Sequence, residues 1–332
     1  MSRLSQFIRE KRYTFKHKIY GECYMPLYNK HLPLGSKIPE IYNKYGQKLD
    51  MYFLRDEHFN HNPYGGGCNN YFLWDRYNFG LKTHFYTGES IRQTMGNPDR
   101  KFAWLFEPYS ISKKPYLLLE KDKSLGSEFT HIITHNEKIL NDFANAKFIY
   151  SLGMWCYFEE GDTLAPSDTK YETKEKDISM VVSGKTYTKL HLIRNTLADR
   201  VKNNDKVDIF GKYVGKPIKY KSLSLDTYRY QIVVENEMNA YYFTEKIMDC
   251  FISMCVPIYM GASKIGEFFN TDGIIQISPK DIDNIDEILK QCNQLDYQER
   301  LEAIKDNYHR VLEYINGDKA FDKALYLMVN KA

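Results

Sequence analysis

Residues 228–261, YRYQIVVENEMNAYYFTEKIMDCFISMCVPIYMG, constrain the fold more than any other stretch of the chain. Tyr230 to Val234 is apolar and β-branched, the pattern of a buried strand. Glu235 and Asn236 open a polar loop, after which Phe243, Ile247, Phe251 and Met254 recur at helical spacing. A second apolar run, Val256 to Met260, ends at Gly261. Strand, helix of about three turns and strand make a βαβ unit, which requires parallel pairing and a right-handed crossover.

The polar residues of this stretch gather where the helix begins. Thr244 is placed to cap it, since a hydroxyl there accepts from the backbone N–H groups that follow. Glu245 in the first turn suits the helix dipole. Lys246 opposes it, at a cost of up to about 1 kcal/mol unless an anion offsets the charge. A helix N-terminus also attracts phosphate. Two readings fit the lysine equally: a partner for a bound phosphate, or a side chain that snorkels into water. On either, its removal is expected to leave stability unchanged or slightly raised.

The stretch Tyr230, Glu235-Asn236 and Tyr242-Phe243-Thr244-Glu245-Lys246-Ile247 resembles the donor-binding motif of the α1,3-fucosyltransferases, glycosyltransferase family ten. Val256-Pro257-Ile258-Tyr259-Met260-Gly261 resembles the strand that follows in that family. Glu237 departs from it, standing where the family carries a small hydroxyl residue. The resemblance covers residues 178–277, and the N-terminal half matches only in pattern. It implies the GT-B arrangement, two Rossmann-like domains facing each other across a cleft, with GDP-fucose as donor. It also implies that Arg194, in the segment Ser183 to Asn195, contacts the donor phosphates and that Glu245 takes the ribose hydroxyls. Asn236 and Tyr242 would line the donor site. Glu235 would bind the transferred sugar or hold the loop.

The chain has 332 residues, enough for two domains with a core each. Hydrophobic residues are 43% and charged residues 27%, a globular balance, and a net charge of +3 is too weak to argue for nucleic acid. The 28 tyrosines and 19 phenylalanines fit a tyrosine-rich core better than a set of sugar platforms. None of the six cysteines has Cys-x-x-Cys spacing, and Cys250 and Cys255 read as ordinary buried thiols, which favours a reducing compartment. The 332 residues show no signal-peptide pattern and no long apolar run. Animal members of the resembled family carry an N-terminal anchor, so a bacterial or viral cytosolic enzyme is expected, working in the cytoplasm or at the inner membrane face. Residues 1–18 are basic and read as a partly helical, solvated segment with the option of touching an anionic membrane surface.

Along the chain, strands are expected at Leu49–Leu54 and Phe102–Phe106, and an alternating α/β pattern runs on to Tyr150. The stretch at 58–70 reads as a long loop bordering an acceptor site; its His58 and His61 lack further metal ligands nearby. His131 and His135 read as structural. Residues 159–177 are polar and charged and read as a linker, which divides the chain into an acceptor-binding domain at 1–165 and a donor-binding domain at 178–332. After it come strands at 178–182, 207–210 and 274–277, a helix at 187–201 and three closing helices.

Sugar transfer needs a stabilised leaving diphosphate and a base for the acceptor hydroxyl. Asp281-Ile282-Asp283 spells the metal-binding Asp-x-Asp, but it opens a helix, where acidic residues cap. Lys246 and Arg194 supply positive charge instead, so no metal or other cofactor is expected. The base would come from the N-terminal domain. Glu107, delivered where Phe102–Phe106 meets Pro108, is the choice, with Glu120 and Asp75 as alternatives. The expected function is inverting, metal-independent transfer of fucose from GDP-fucose to a glycan, with a different GDP-sugar or a non-catalytic glycan- or nucleotide-binding role as alternatives. Oligomeric state is not legible.

Overall fold

A computed structural model of the chain describes residues 3–20, 40, 42, 46, 48–55, 71–75, 78–151, 156–157, 161–315 and 320–330. The chain forms two compact units, Met1–Ile149 with Phe321–Ala332, and Tyr150–Ala320. The loop at 58–70 with His58 and His61, and Arg76 beside Asp75, lie outside the described residues.

The first unit opens with helix α1 (Arg3–Tyr20) and carries strands β1 (Asp50–Arg55), β2 (Phe72–Asp75), β3 (Thr83–Thr87), β4 (Arg100–Leu105), β5 (His131–Thr134) and β6 (Ala146–Phe148). Helices α2 (Lys113–Lys121), α3 (Lys123–Ser127) and α4 (Glu137–Asp142) connect the later strands. The sheet order is β2-β1-β3-β4-β5-β6, and every described pairing is parallel. Strands buried on both faces read as continuous apolar runs. Phe53, Phe85 and Phe102 are fully buried, and the last two stack at 4.9 Å. Helix α1 is not the solvated segment expected. Tyr13 is buried edge-on against Phe53 and Phe79, and Gln6 donates to the carbonyl of Gly96 at 2.8 Å while Glu10 accepts from its N–H at 2.8 Å.

The second unit contains β7 (Lys176–Val181), α5 (Lys189–Val201), β8 (Val207–Phe210), β9 (Tyr228–Val234), α6 (Glu245–Ile252), β10 (Val256–Met260), β11 (Ile275–Gln276), α7 (Ile285–Gln291), α8 (Gln294–Glu299) and α9 (Leu301–Ile315). The order β11-β10-β9-β7-β8 is again all parallel, with β9 at the centre and all seven of its residues buried. This is the α/β class expected, two Rossmann-like units, on which the GT-B expectation rests. The last helix, α10 (Ala320–Asn330), joins the first unit, where Asn330 donates to the Tyr52 hydroxyl at 3.2 Å and the Val329 carbonyl accepts from Arg100 at 2.7 Å.

Two expectations change. The polar stretch at 159–177 is not a free linker in its described part, because its charges are used inside the second unit. Lys170 pairs with Asp226 at 2.5 Å, and buried Lys174 donates to the carbonyls of Leu225 and Ser253. The units divide earlier, between Ile149 and Tyr150. Helix α6 is also shorter than three turns, because Met254 takes a left-handed backbone (φ 53°) that ends it.

Candidate active site

In a doubly wound sheet a ligand sits beyond the strand C-termini, where the chain order reverses. In the second unit that point lies between β7 and β9, so the segments leading into α5 and α6 define it. Backbone pairing continues past β9, with the Glu235 N–H donating to the Met260 carbonyl at 2.8 Å. This fixes Glu235 at the sheet edge, fully buried.

The Glu235 carboxylate ties strand to helix. It accepts from the Thr244 N–H at 2.9 Å and from the Thr244 hydroxyl at 2.8 Å. Thr244 caps α6 as expected, its hydroxyl accepting from the Lys246 N–H at 3.3 Å. Lys246 neither snorkels nor stands free. Its Nζ lies 3.1 Å from Glu235 Oε2 and 3.3 Å from Glu245 Oε1, and donates to the Thr244 hydroxyl at 2.8 Å. Gly261 makes room for this corner: a Cβ there would lie 2.2 Å from the Tyr259 hydroxyl and 2.7 Å from the Glu235 side chain.

Arg194 enters from α5. One of its terminal nitrogens, Nη2, donates to the carbonyls of Val234 and Glu235 and to the Asn236 side chain, the last two at 3.2 Å. Its other donors, Nε and Nη1, have no acceptor among the described residues. Burial pushes the guanidinium below its ordinary pKa, while the charges of Glu235 and Glu245 act the other way. Asn236 reaches the buried Tyr242 hydroxyl at 3.5 Å. Burial tends to raise the Glu245 carboxyl, yet Lys246 and Lys221 hold it below its usual range.

The structure thus brings Arg194, Glu235, Asn236, Tyr242, Glu245 and Lys246 to one edge of one sheet. It adds residues that the sequence reading passed over. His191 caps α5 reciprocally with Thr188, and burial followed by the Arg194 charge pushes its pKa down to about 4. A neutral imidazole three residues before Arg194 was the available signal. Lys221 pairs with fully buried Asp249 at 2.5 Å. Burial would pull its ammonium pKa down, but Asp249 and Glu245 hold it above ordinary. Nothing local in its sequence marks it.

Glu107 belongs to the first unit, just past β4 and half-buried, with its carbonyl accepting from the Tyr116 hydroxyl at 2.6 Å. Of the lysines nearby, Lys114 pairs with Glu89 at 2.5 Å, and Lys113 lies over the Tyr109 ring. Of the alternatives, Glu120 lies 3.8 Å from Lys138, and buried Asp75 accepts from the Asn78 N–H at 2.9 Å. Asp281 caps as expected, accepting from the N–H and hydroxyl of Ser278, both at 2.7 Å. His135 is buried, which pushes its pKa down to about 3. Among the described residues no group of three or more His, Cys, Asp or Glu could hold a metal ion, and no helix is long and apolar enough to cross a membrane.

A parallel sheet whose switch point gathers cations and buried carboxylates at two helix starts has a geometry that suits an anionic ligand. Residues 171–314, within the second unit, match the family model of glycosyltransferase family 10 (fucosyltransferase), C-terminal part. An α-(1,3)-fucosyltransferase of Helicobacter pylori, FucT, is 29% identical over 141 residues. That match covers 42% of this chain and 28% of the relative's own length. Two solved α1,3-fucosyltransferase structures, one with GDP-fucose and one with GDP, resemble the chain over 90% and 88% of its length and 94% of each of theirs. Identities are 15% and 16%, with TM-scores of 0.48 and 0.49.

Proposed function

We propose that the protein transfers fucose from GDP-fucose to a hydroxyl of a glycan, with inversion and without a metal. The observation that carries this is the Arg194 side chain, held by the β9 edge through one nitrogen while its remaining donors stay available at the switch point. A guanidinium so fixed suits a diphosphate, which it can grip through paired N–H donors. Lys246 lies at the start of α6, where the helix dipole also favours the leaving phosphate. Glu245 would accept from the ribose hydroxyls, Asn236 and Tyr242 would line the site, and Glu235 would hold the corner.

In the step itself the acceptor oxygen bonds to the anomeric carbon as the bond to the GDP oxygen breaks. Glu107 is the base we propose for the hydroxyl proton. GDP leaves with the electron pair, its added charge met by Arg194 and Lys246. The first unit would take the acceptor and the second the donor.

The test is transfer or donor hydrolysis with GDP-fucose in excess chelator, the product's anomeric configuration being read by NMR. Turnover with inversion is expected. Activity that disappeared with chelator and returned with manganese or magnesium would sink the cation-only mechanism, and retention would sink the single displacement. GDP-mannose consumed in place of GDP-fucose would move the donor to a different GDP-sugar.

A further inference from the structure

The first unit has a switch point of its own, between β1 and β3. A cavity of about 780 Å³ lies there, a size common for small-molecule sites. Its lining includes Arg9 and Arg12 of α1, Arg55 at the end of β1, and Glu89 and Arg92 just after β3. Four arginines therefore face one glutamate, and that glutamate is engaged by Lys114 at 2.5 Å.

The arginines differ in what they do for the fold. Arg9 donates to the Thr94 carbonyl at 2.9 Å. Arg55 donates to Met95 Sδ at 2.6 Å and to the Gln93 side chain, and lies over the Tyr13 ring. Burial pushes the Arg55 guanidinium below its ordinary pKa; Tyr13 partly offsets this and the Arg9 charge adds to it. Arg12 and Arg92 are exposed and have no hydrogen-bond or ion-pair partner among the described residues. They add charge to the cavity without holding anything in place. Like charges gathered in a partly buried hollow oppose one another unless an anion joins them. Guanidinium forks match carboxylate and phosphate oxygens in particular.

We propose that this cavity is an acceptor subsite for an acidic group, a phosphate or carboxylate borne on a sugar residue, gripped by Arg12 and Arg92 and backed by Arg9 and Arg55. It rests on the reading of the protein as a glycosyltransferase and narrows the acceptor to an acidic glycan.

The whole protein is titrated calorimetrically with glucose, glucose 6-phosphate, glucuronic acid and inorganic phosphate. One acidic sugar should bind at least roughly tenfold tighter than glucose, and its identity names the oxyanion. The double variant Arg12→Gln/Arg92→Gln should keep the wild-type melting temperature and lose roughly 10- to 100-fold in affinity for that sugar. Glucose binding as tightly as both acidic sugars, or an undiminished affinity in the double variant, overturns the subsite. Inorganic phosphate binding as tightly as glucose 6-phosphate, with glucuronic acid ignored, overturns it in favour of an adventitious ion only. A GDP titration of the same protein separates the two readings. GDP bound by a protein that ignores acidic sugars removes this subsite alone; acidic sugars bound by one that ignores GDP support the subsite and remove the donor reading.

Discussion

Replacing Lys246 by alanine tests the charge arrangement at the corner between β9 and α6. Viewed only as a cation at a helix N-terminus, the lysine should be removable at no cost. The geometry reverses that expectation. Lys246 lies 3.1 Å from Glu235 and 3.3 Å from Glu245, and Glu235 is fully buried. Breaking a buried ion pair by removing one partner costs about 3–5 kcal/mol. Glu235 keeps its two donors from Thr244, and the Lys246 side chain is 22% exposed, so solvent screens part of the loss and roughly 2–3 kcal/mol remains. Relief of the dipole returns up to about 1 kcal/mol. The net loss of about 1–3 kcal/mol should lower the melting temperature of the second unit by roughly 2–12 °C, at about 2–4 °C per kcal/mol for a unit of this size. Circular dichroism melts of wild type and variant across pH provide the assay. Glu245 has a folded pKa held below its unfolded value. Its contribution is therefore present above the unfolded pKa and lost as pH falls through the folded one. The gap between the two proteins should be widest at neutral pH and close in acid. A variant that melts at or above wild type at pH 7 would refute the reasoning, and with it the placement of the ammonium between the two carboxylates.

Glu107→Gln keeps shape but cannot take a proton; transfer should fall by roughly 100- to 10,000-fold with GDP affinity unchanged. If Glu120→Gln or Asp75→Asn shows that loss instead, the base is elsewhere. Gly261→Ala would set a Cβ 2.2 Å from the Tyr259 hydroxyl, and should destabilise by about 1–3 kcal/mol in a melt; a wild-type melt would mean the corner yields freely. Arg194→Gln should weaken GDP binding by roughly 10- to 100-fold in a calorimetric titration, and unchanged affinity would remove the guanidinium from the donor site.

The parts of this fold written in the sequence are those with a local cause. Val207–Phe210 and Val256–Met260 are strands at the ends expected, because short apolar runs bounded by polar residues leave little choice. Thr244 and Asp281 cap as their positions imply. What was not legible depends on contacts distant in sequence. Lys246 meets Glu235 eleven residues away only because the β9–α6 turn folds back on itself. The polar run at 159–177 looks like a linker until Lys170 finds Asp226 and Lys174 finds the carbonyl of Ser253. Met254 ends α6 early through its backbone conformation, which its side chain does not announce. Arg194 could be assigned only through a family resemblance, since its grip on Val234 and Glu235 is tertiary.

The two switch points carry charge in opposite ways, and this separates their chemistry. In the second unit Arg194, Lys221 and Lys246 stand against buried Glu235, Glu245 and Asp249, so the set is balanced before any ligand arrives. An anion there gains from oriented donors and two helix starts rather than from net charge. In the first unit Arg12 and Arg92 are exposed and have no hydrogen-bond or ion-pair partner among the described residues, and an anion there gains from exposed charge. Salt screens exposed charges strongly and buried ones little, with a Debye length near 10 Å at about 0.1 M. Raising salt from about 0.05 to about 0.5 M should therefore weaken acidic-sugar binding by roughly tenfold or more and GDP binding much less. If both affinities fell together, the donors at the β9 edge would be acting as exposed charges, and the burial of Arg194 would not govern how the nucleotide is held.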